Sequence, residues 1–92
     1  MQEEITHFVE KTTNAIADSY RLKILLTLSQ KGEMYCGEVQ QLIGLSQSTC
    51  SHHVSILIES ELVASKKEGK FHKISLNRDN FKKLSAFFQE LS

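Results

Sequence analysis

Apolar side chains recur at helical spacing near the start of the chain, with Ile5, Phe8, Val9 and Ile16 forming one stripe over residues 3–17. That spacing predicts an amphipathic first helix. Asp18 is suited to cap a second helix by accepting from free amides at its start. Leu22, Leu25, Leu26 and Leu28 give that helix a wide apolar face to about residue 29, and Lys31 and Gly32 end it. A shorter helical pattern follows over about 36–43, with Val39, Leu42 and Ile43 on one side and Gly44 placed to take the left-handed conformation that ends a helix. After a tight turn, Ser46 stands where an N-cap belongs. The next helix runs to about residue 60 and turns Cys50, Val54, Leu57 and Ile58 inward. Two short helices around a glycine turn form a helix-turn-helix, here about residues 36–60.

Beyond Leu62 the period shortens to that of strands. Residues 62–67 and 70–76, joined at Glu68 and Gly69, predict a hairpin with a polar tip, a wing over about residues 62–76. From Arg78 the helical period returns, and Phe81, Leu84, Phe87, Phe88 and Leu91 make a stripe that no later element can cover. The predicted fold is mostly α with a β-hairpin wing, a winged helix-turn-helix of about five helices. The helices at about 3–17 and 78–91 are expected to join two copies through Ile5, Phe8, Val9, Phe81, Leu84, Phe87, Phe88 and Leu91.

Length supports pairing, because 92 residues amount to one domain, residues 1–92, whose small core gains from a second copy. No stretch approaches the roughly 18 consecutive apolar residues of a membrane span, and the start MQEEITHF lacks a basic-then-apolar leader. A cytoplasmic protein with no membrane partner is therefore expected. Cys36 and Cys50 are the only cysteines, too few for a disulfide scaffold and free to stay reduced.

The net charge is zero, yet its distribution is uneven. Residues 66–83 hold Lys66, Lys67, Lys70, Lys73, Arg78, Lys82 and Lys83 against only Glu68 and Asp79, while the rest of the chain is acidic. A basic hairpin can be merely solvated, so its neighbours matter. No charged residue occurs between Gly44 and Ile58. A solvated helix face normally carries Lys and Glu, whereas small hydroxyls and amides suit close approach to phosphates and base edges. Double-stranded DNA is the expected partner. Its contacts are assigned to Ser46, Gln47, Ser48, Thr49, Ser51, His52, His53 and Ser55 on the helix and to Lys66, Lys67 and Lys70 on the wing. His53 is also placed to brace the helix by hydrogen bonding, and His72 to pack or touch DNA from the wing. The competing reading is a winged helix used for protein contact, in which the basic wing meets an acidic partner.

Three segments together resemble the ArsR/SmtB winged-helix repressors. Residues 15–25 (AIADSYRLKIL) are similar to the start of that family's second helix, residues 36–39 (CGEV) to its third, and residues 45–54 (LSQSTCSHHV) to its recognition helix. Residues 67–70 (KEGK) and 74–76 (ISL) are similar to its wing. The resemblance implies a homodimer joined through first and last helices, binding an inverted-repeat operator and released by an inducer. Ser19 stands where the family often has proline, and Glu61 where it usually has glycine.

The resemblance does not name an inducer. The family's paired cysteines flanking a valine at the third helix would fall at Tyr35 and Gly37, with Cys36 between them, and residues 78–92 lack the histidines of its last-helix metal site. Cys36 and Cys50 remain as candidates for sensing a metal or a thiol-reactive effector, and Cys50 and His53, three apart, could contribute to a soft-metal set. Both cysteines fall where the family has small apolar side chains, so a packing role takes precedence. No certain cofactor is implied. No phosphate-cradling glycine loop, paired carboxylates or other recognised catalytic motif accompanies these residues, and an enzyme is not expected.

Overall fold

The computed structural model describes residues 2–92. The described elements are α1 (Gln2–Ile16), α2 (Ser19–Lys31), β1 (Glu33–Tyr35), α3 (Cys36–Ile43), α4 (Gln47–Glu59), β2 (Val63–Glu68), β3 (Phe71–Leu76) and α5 (Arg78–Glu90). The local chemistry of the chain explains their ends. Asp18 is in extended conformation, and its carboxylate accepts from the Tyr20 amide at 2.9 Å and the Arg21 amide at 3.0 Å, satisfying two free donors of α2. Gly44, at φ 69°, turns the chain out of α3 while its amide donates to the Gln40 carbonyl at 2.9 Å. Ser46 then caps α4 by accepting from the Thr49 amide at 3.3 Å. Only two residues separate the cap of α3 from the start of α4, and the helix-turn-helix is tight for that reason.

The core forms where the apolar stripes converge. Ile24 and Leu28 of α2, Val39 of α3, Leu57 of α4, Leu62 beyond it and Ile74 of β3 are each under 2% exposed. Burying side chains of this size stabilises by about 1.5–3 kcal/mol each before chain entropy is set against it. Leu22 and Leu26, assigned to the same apolar face of α2 from their spacing, are instead exposed. They border an open groove with Ile16 and with Phe81 of α5.

The sheet holds one more strand than the hairpin pattern predicts. β1 pairs antiparallel with β3, which makes β3 central in the order β1-β3-β2. Three residues between two helices carry too little periodicity to be read as a strand. Pairing of Met34 with Ile74, both buried, supplies the stabilisation that local propensity does not. At the far end, Gly69 (φ 62°) and Lys70 form a two-residue turn. Positive φ at the first turn residue alone is the type II′ pattern, whose twist matches that of the strands.

Glu61 is the only non-glycine described residue with positive φ, 68°, and it stands where the chain leaves α4 for β2. Two contacts hold this conformation: Asn80 Nδ2 donates to the Glu61 carbonyl at 2.7 Å, and Lys11 Nζ meets its carboxylate at 3.2 Å. The ion pair is exposed and contributes at most about 1 kcal/mol, while left-handed backbone costs a residue with a Cβ about 1–2 kcal/mol. Glu61→Gly should therefore be neutral to stabilising by up to about 1 kcal/mol in urea unfolding, and Glu61→Val should be destabilising. A clear loss of stability in the glycine variant would show that the ion pair outweighs the strain.

Candidate nucleic-acid interface

α4 is divided sharply along its length. Cys50, His53, Val54 and Leu57 are buried, whereas Gln47, Ser48, Thr49, Ser51, His52 and Ser55 are exposed together with the cap Ser46. The exposed set forms one uncharged polar surface at the start of the helix. Within it, the Ser46 hydroxyl is engaged, donating to Thr49 Oγ1 at 2.9 Å while holding the cap. Gln47, Ser51, His52 and Ser55 make no side-chain hydrogen bonds among the described residues and are open to an outside partner.

His53 does not belong to that surface, which corrects its assignment as a DNA contact. It is 8% exposed, and its Nδ1 lies 3.1 Å from Arg21 Nη1. Arginine has donors only, so Nδ1 is the acceptor. The bracing role expected from the sequence is the one this geometry fits. Arg21 also donates from Nε to the Ala15 carbonyl at 2.7 Å and from Nη2 to the Asn14 carbonyl at 3.4 Å, so one guanidinium joins the end of α1, the start of α2 and the middle of α4.

The wing lysines divide by face, because residues opposite one another in an antiparallel pair share a side of the sheet. Lys67 lies opposite His72, on the side that carries Ile74 into the core nearer the base. Lys66 lies opposite Lys73 on the other side, where Lys73 Nζ meets Glu33 and Glu68, each at 3.1 Å. Hydrogen bonds to those two carboxylates hold the Lys73 ammonium above its usual range, and Lys73 in turn holds Glu68 below the usual carboxylate range. The basic excess read from the sequence is thus smaller at this edge. Lys66, Lys67 and Lys70 form no ion pair among the described residues. Phe71, beside the turn, is 57% exposed and packs edge-on against Tyr35 with ring centroids 6.0 Å apart. Nothing in the sequence pattern points to this pair, since Tyr35 joins the sheet only through β1.

Cys36 and Cys50 line one small cleft of about 110 Å³ with Gly37, Gln40, Gln47 and Ser51. The Cys50 thiol is buried and donates to the Leu45 carbonyl at 3.6 Å; Cys36 is partly buried, and burial pushes its thiol above the usual range. Among the described residues no three of His, Cys, Asp and Glu gather as metal ligands, and the nitrogen of His53 that faces inward is taken by Arg21.

The face expected to join two copies also needs correction at two positions. Phe8 (6% exposed) and Leu84 (3%) lie in the protomer's own core, and Lys83 Nζ sits 4.3 Å from the centre of the Phe8 ring. Phe88 and Leu91 are exposed, at 48% and 72%, while Ile5, Val9, Phe81 and Phe87 are partly exposed.

Comparison with known proteins places this geometry. A family described as a helix-turn-helix domain matches residues 16–66. A cadmium resistance transcriptional regulatory protein homolog, CadC, of Staphylococcus aureus is 36% identical over 76 residues, 83% of this chain and 63% of that protein, so the chain spans less than two thirds of it. The transcriptional repressor SdpR of Bacillus subtilis is 36% identical over 63 residues, 68% of this chain and 69% of the repressor. Among solved structures, a homodimeric winged helix-turn-helix DNA-binding domain from Mycobacterium bovis superposes with a TM-score of 0.80 at 24% identity, covering 98% of this chain and 82% of that one. Taken with its recognition-helix segment and its winged architecture, these matches establish that the chain belongs to the ArsR/SmtB-type winged helix-turn-helix transcriptional regulators.

Proposed function

We propose that the protein is a sequence-specific DNA-binding repressor that grips an inverted-repeat operator as a homodimer and is released by an inducer. The observation that carries this reading is the bare, uncharged start of α4 set beside a wing whose lysines at 66, 67 and 70 have no ion-pair partner among the described residues. In this reading the protein acts in the cytoplasm and has no catalytic role.

Helix and wing contribute different kinds of contact. Gln47, Ser48, Ser51 and His52 are placed to meet base edges, with a glutamine amide able to pair bidentately with adenine, while Lys67 and Lys70 meet phosphate. In a dimer the two α4 helices would stand about 34–36 Å apart, one turn of DNA. Salt titrations on an operator selected from genomic fragments, with random DNA alongside, test the division. Gln47→Ala should cost about 1–3 kcal/mol on the operator and much less on random DNA. Lys70→Ala should weaken both and lower the salt slope by roughly one per lost contact in each protomer. Equal losses on both DNAs for Gln47→Ala, or binding by the wild type that does not fall with salt, would favour a wing that meets protein.

The homodimer reading rests on the exposed apolar end of α5, and the homodimeric neighbour has the same fold. Phe88 and Leu91, with the groove between Leu26 and Phe81, offer apolar surface worth about 25 cal/mol per Å² once covered, against which rigid-body entropy must be set. Sedimentation should find the wild type dimeric at micromolar concentration and Phe88→Glu shifted toward monomer. A monomeric wild type would overturn the proposal.

For release, the cleft shared by Cys36 and Cys50 is the place where an effector would act. An atom bound to the thiols would wedge between α3 and α4, and Gln47 and Ser51 line the same cleft, so the reading surface would move with it. A Cys36→Val, Cys50→Val double variant should bind operator as the wild type does, yet keep it in the presence of soft divalent cations or hydroperoxide that release the wild type. Release of the double variant by the same reagents would rule out the thiols.

A further inference from the structure

We infer that Asp18, Arg21 and His53 form a proton-sensitive clasp that sets the seat of the recognition helix, so that protonation of His53 releases DNA. His53 and Arg21 are positioning residues here, acting through α4, and the inference rests on the DNA-binding reading above. The clasp is built from a small number of fixed bonds. Arg21 Nη1 donates to His53 Nδ1 at 3.1 Å, its other nitrogens are held by the carbonyl oxygens of Ala15 and Asn14, and Asp18 Oδ2 lies 3.9 Å from Nη1. Asp18 Oδ1 lies 4.0 Å from His53 Nδ1 but already accepts from two amides of α2. Those amides and the Arg21 guanidinium hold the Asp18 carboxyl below its usual range, so it stays ionised at any pH relevant to imidazole. The titratable groups that face the imidazole are Asp18, Tyr20 and Arg21 at the start of α2 and His52 beside it on α4, and the α1 groups bonded to Arg21 are the uncharged carbonyls of Asn14 and Ala15.

A proton on Nδ1 removes the one acceptor that Arg21 has on α4. Donor then faces donor at 3.1 Å, and two cations share a site in which the side chains are only 10–12% exposed. The anion nearest the imidazolium is Asp18, 4.0 Å away at the oxygen that caps α2, so pairing with it draws the ring away from Arg21 and α4 with it. Gln47, Ser51 and His52 lie on that helix and move with it. Nothing comparable operates at an exposed histidine, where water replaces a lost partner.

The test compares wild type with His53→Asn, whose amide oxygen stands near the place of Nδ1 and does not titrate. Fluorescence anisotropy on operator DNA from pH 7.5 to 5.5 should show the wild type losing at least tenfold more affinity than His53→Asn, with the other histidines common to both. Imidazole and amide ¹⁵N spectra of the free wild type should show an unprotonated Nδ1 at pH 7.5 and displacement of the Gln47–Ser51 amide resonances by pH 5.5, absent from His53→Asn. Equal pH profiles in the two proteins overturn the clasp. If the variant does not fold, the wild-type spectra decide: a protonated Nδ1 at pH 7.5, or Gln47–Ser51 resonances that stay in place, overturns it. A wild type that binds no DNA at pH 7.5 defeats the DNA-binding reading, and the spectra still settle the clasp.

Discussion

A helix that leaves one whole face bare can be held by only half of its circumference, and the seating of α4 follows from that constraint. α4 offers the interior Cys50, His53, Val54 and Leu57, of which only Val54 and Leu57 are branched aliphatic side chains. Hydrophobic burial of Val54 and Leu57, with Ile56 and Ile58 packed against the same core, holds the helix in place, but that force is non-directional. The hydrogen bond from Arg21 supplies direction. It is a bond to a charged donor in a nearly dry site, and its loss would leave a buried group unsatisfied, which costs more than the bond itself contributes. Packing and this directed bond act on α4 together.

The legibility of the chain follows the same division between local and distant causes. Caps and turns were readable because their chemistry is contained within a few residues: Asp18, Gly44 and Ser46 each act on amides or carbonyls no more than four positions away. The hairpin and the helix-turn-helix followed from the change of period and are present. β1 was not readable, since its partner β3 lies about forty residues on and three residues show no period. Apolar stripes told which residues avoid water without telling which neighbour covers them. Phe8 and Leu84, expected between copies, are covered within the protomer, and Leu22 and Leu26, expected inside, are not.

Charge was the least legible property. Seven basic residues between 66 and 83 read as one patch, yet Lys73 is committed to Glu33 and Glu68, and Lys83 lies over an aromatic ring. What the sequence cannot display is which cations are neutralised by distant carboxylates, and Glu33 lies on β1, a strand too short to show a period. The uncharged run from Gly44 to Ile58 was more informative, because a helix surface lacking Lys and Glu is exceptional whatever surrounds it.

The short strand β1 has a mechanical consequence. Its last residue, Tyr35, is followed directly by Cys36, the first residue of α3, and its pairing with β3 joins the helix-turn-helix to the wing through backbone hydrogen bonds. A backbone splice of this kind couples the helix-turn-helix mechanically to the wing. A displacement at the start of α3 would be passed to β3 through that ladder, so the contacts proposed for α4 and for the wing would change together.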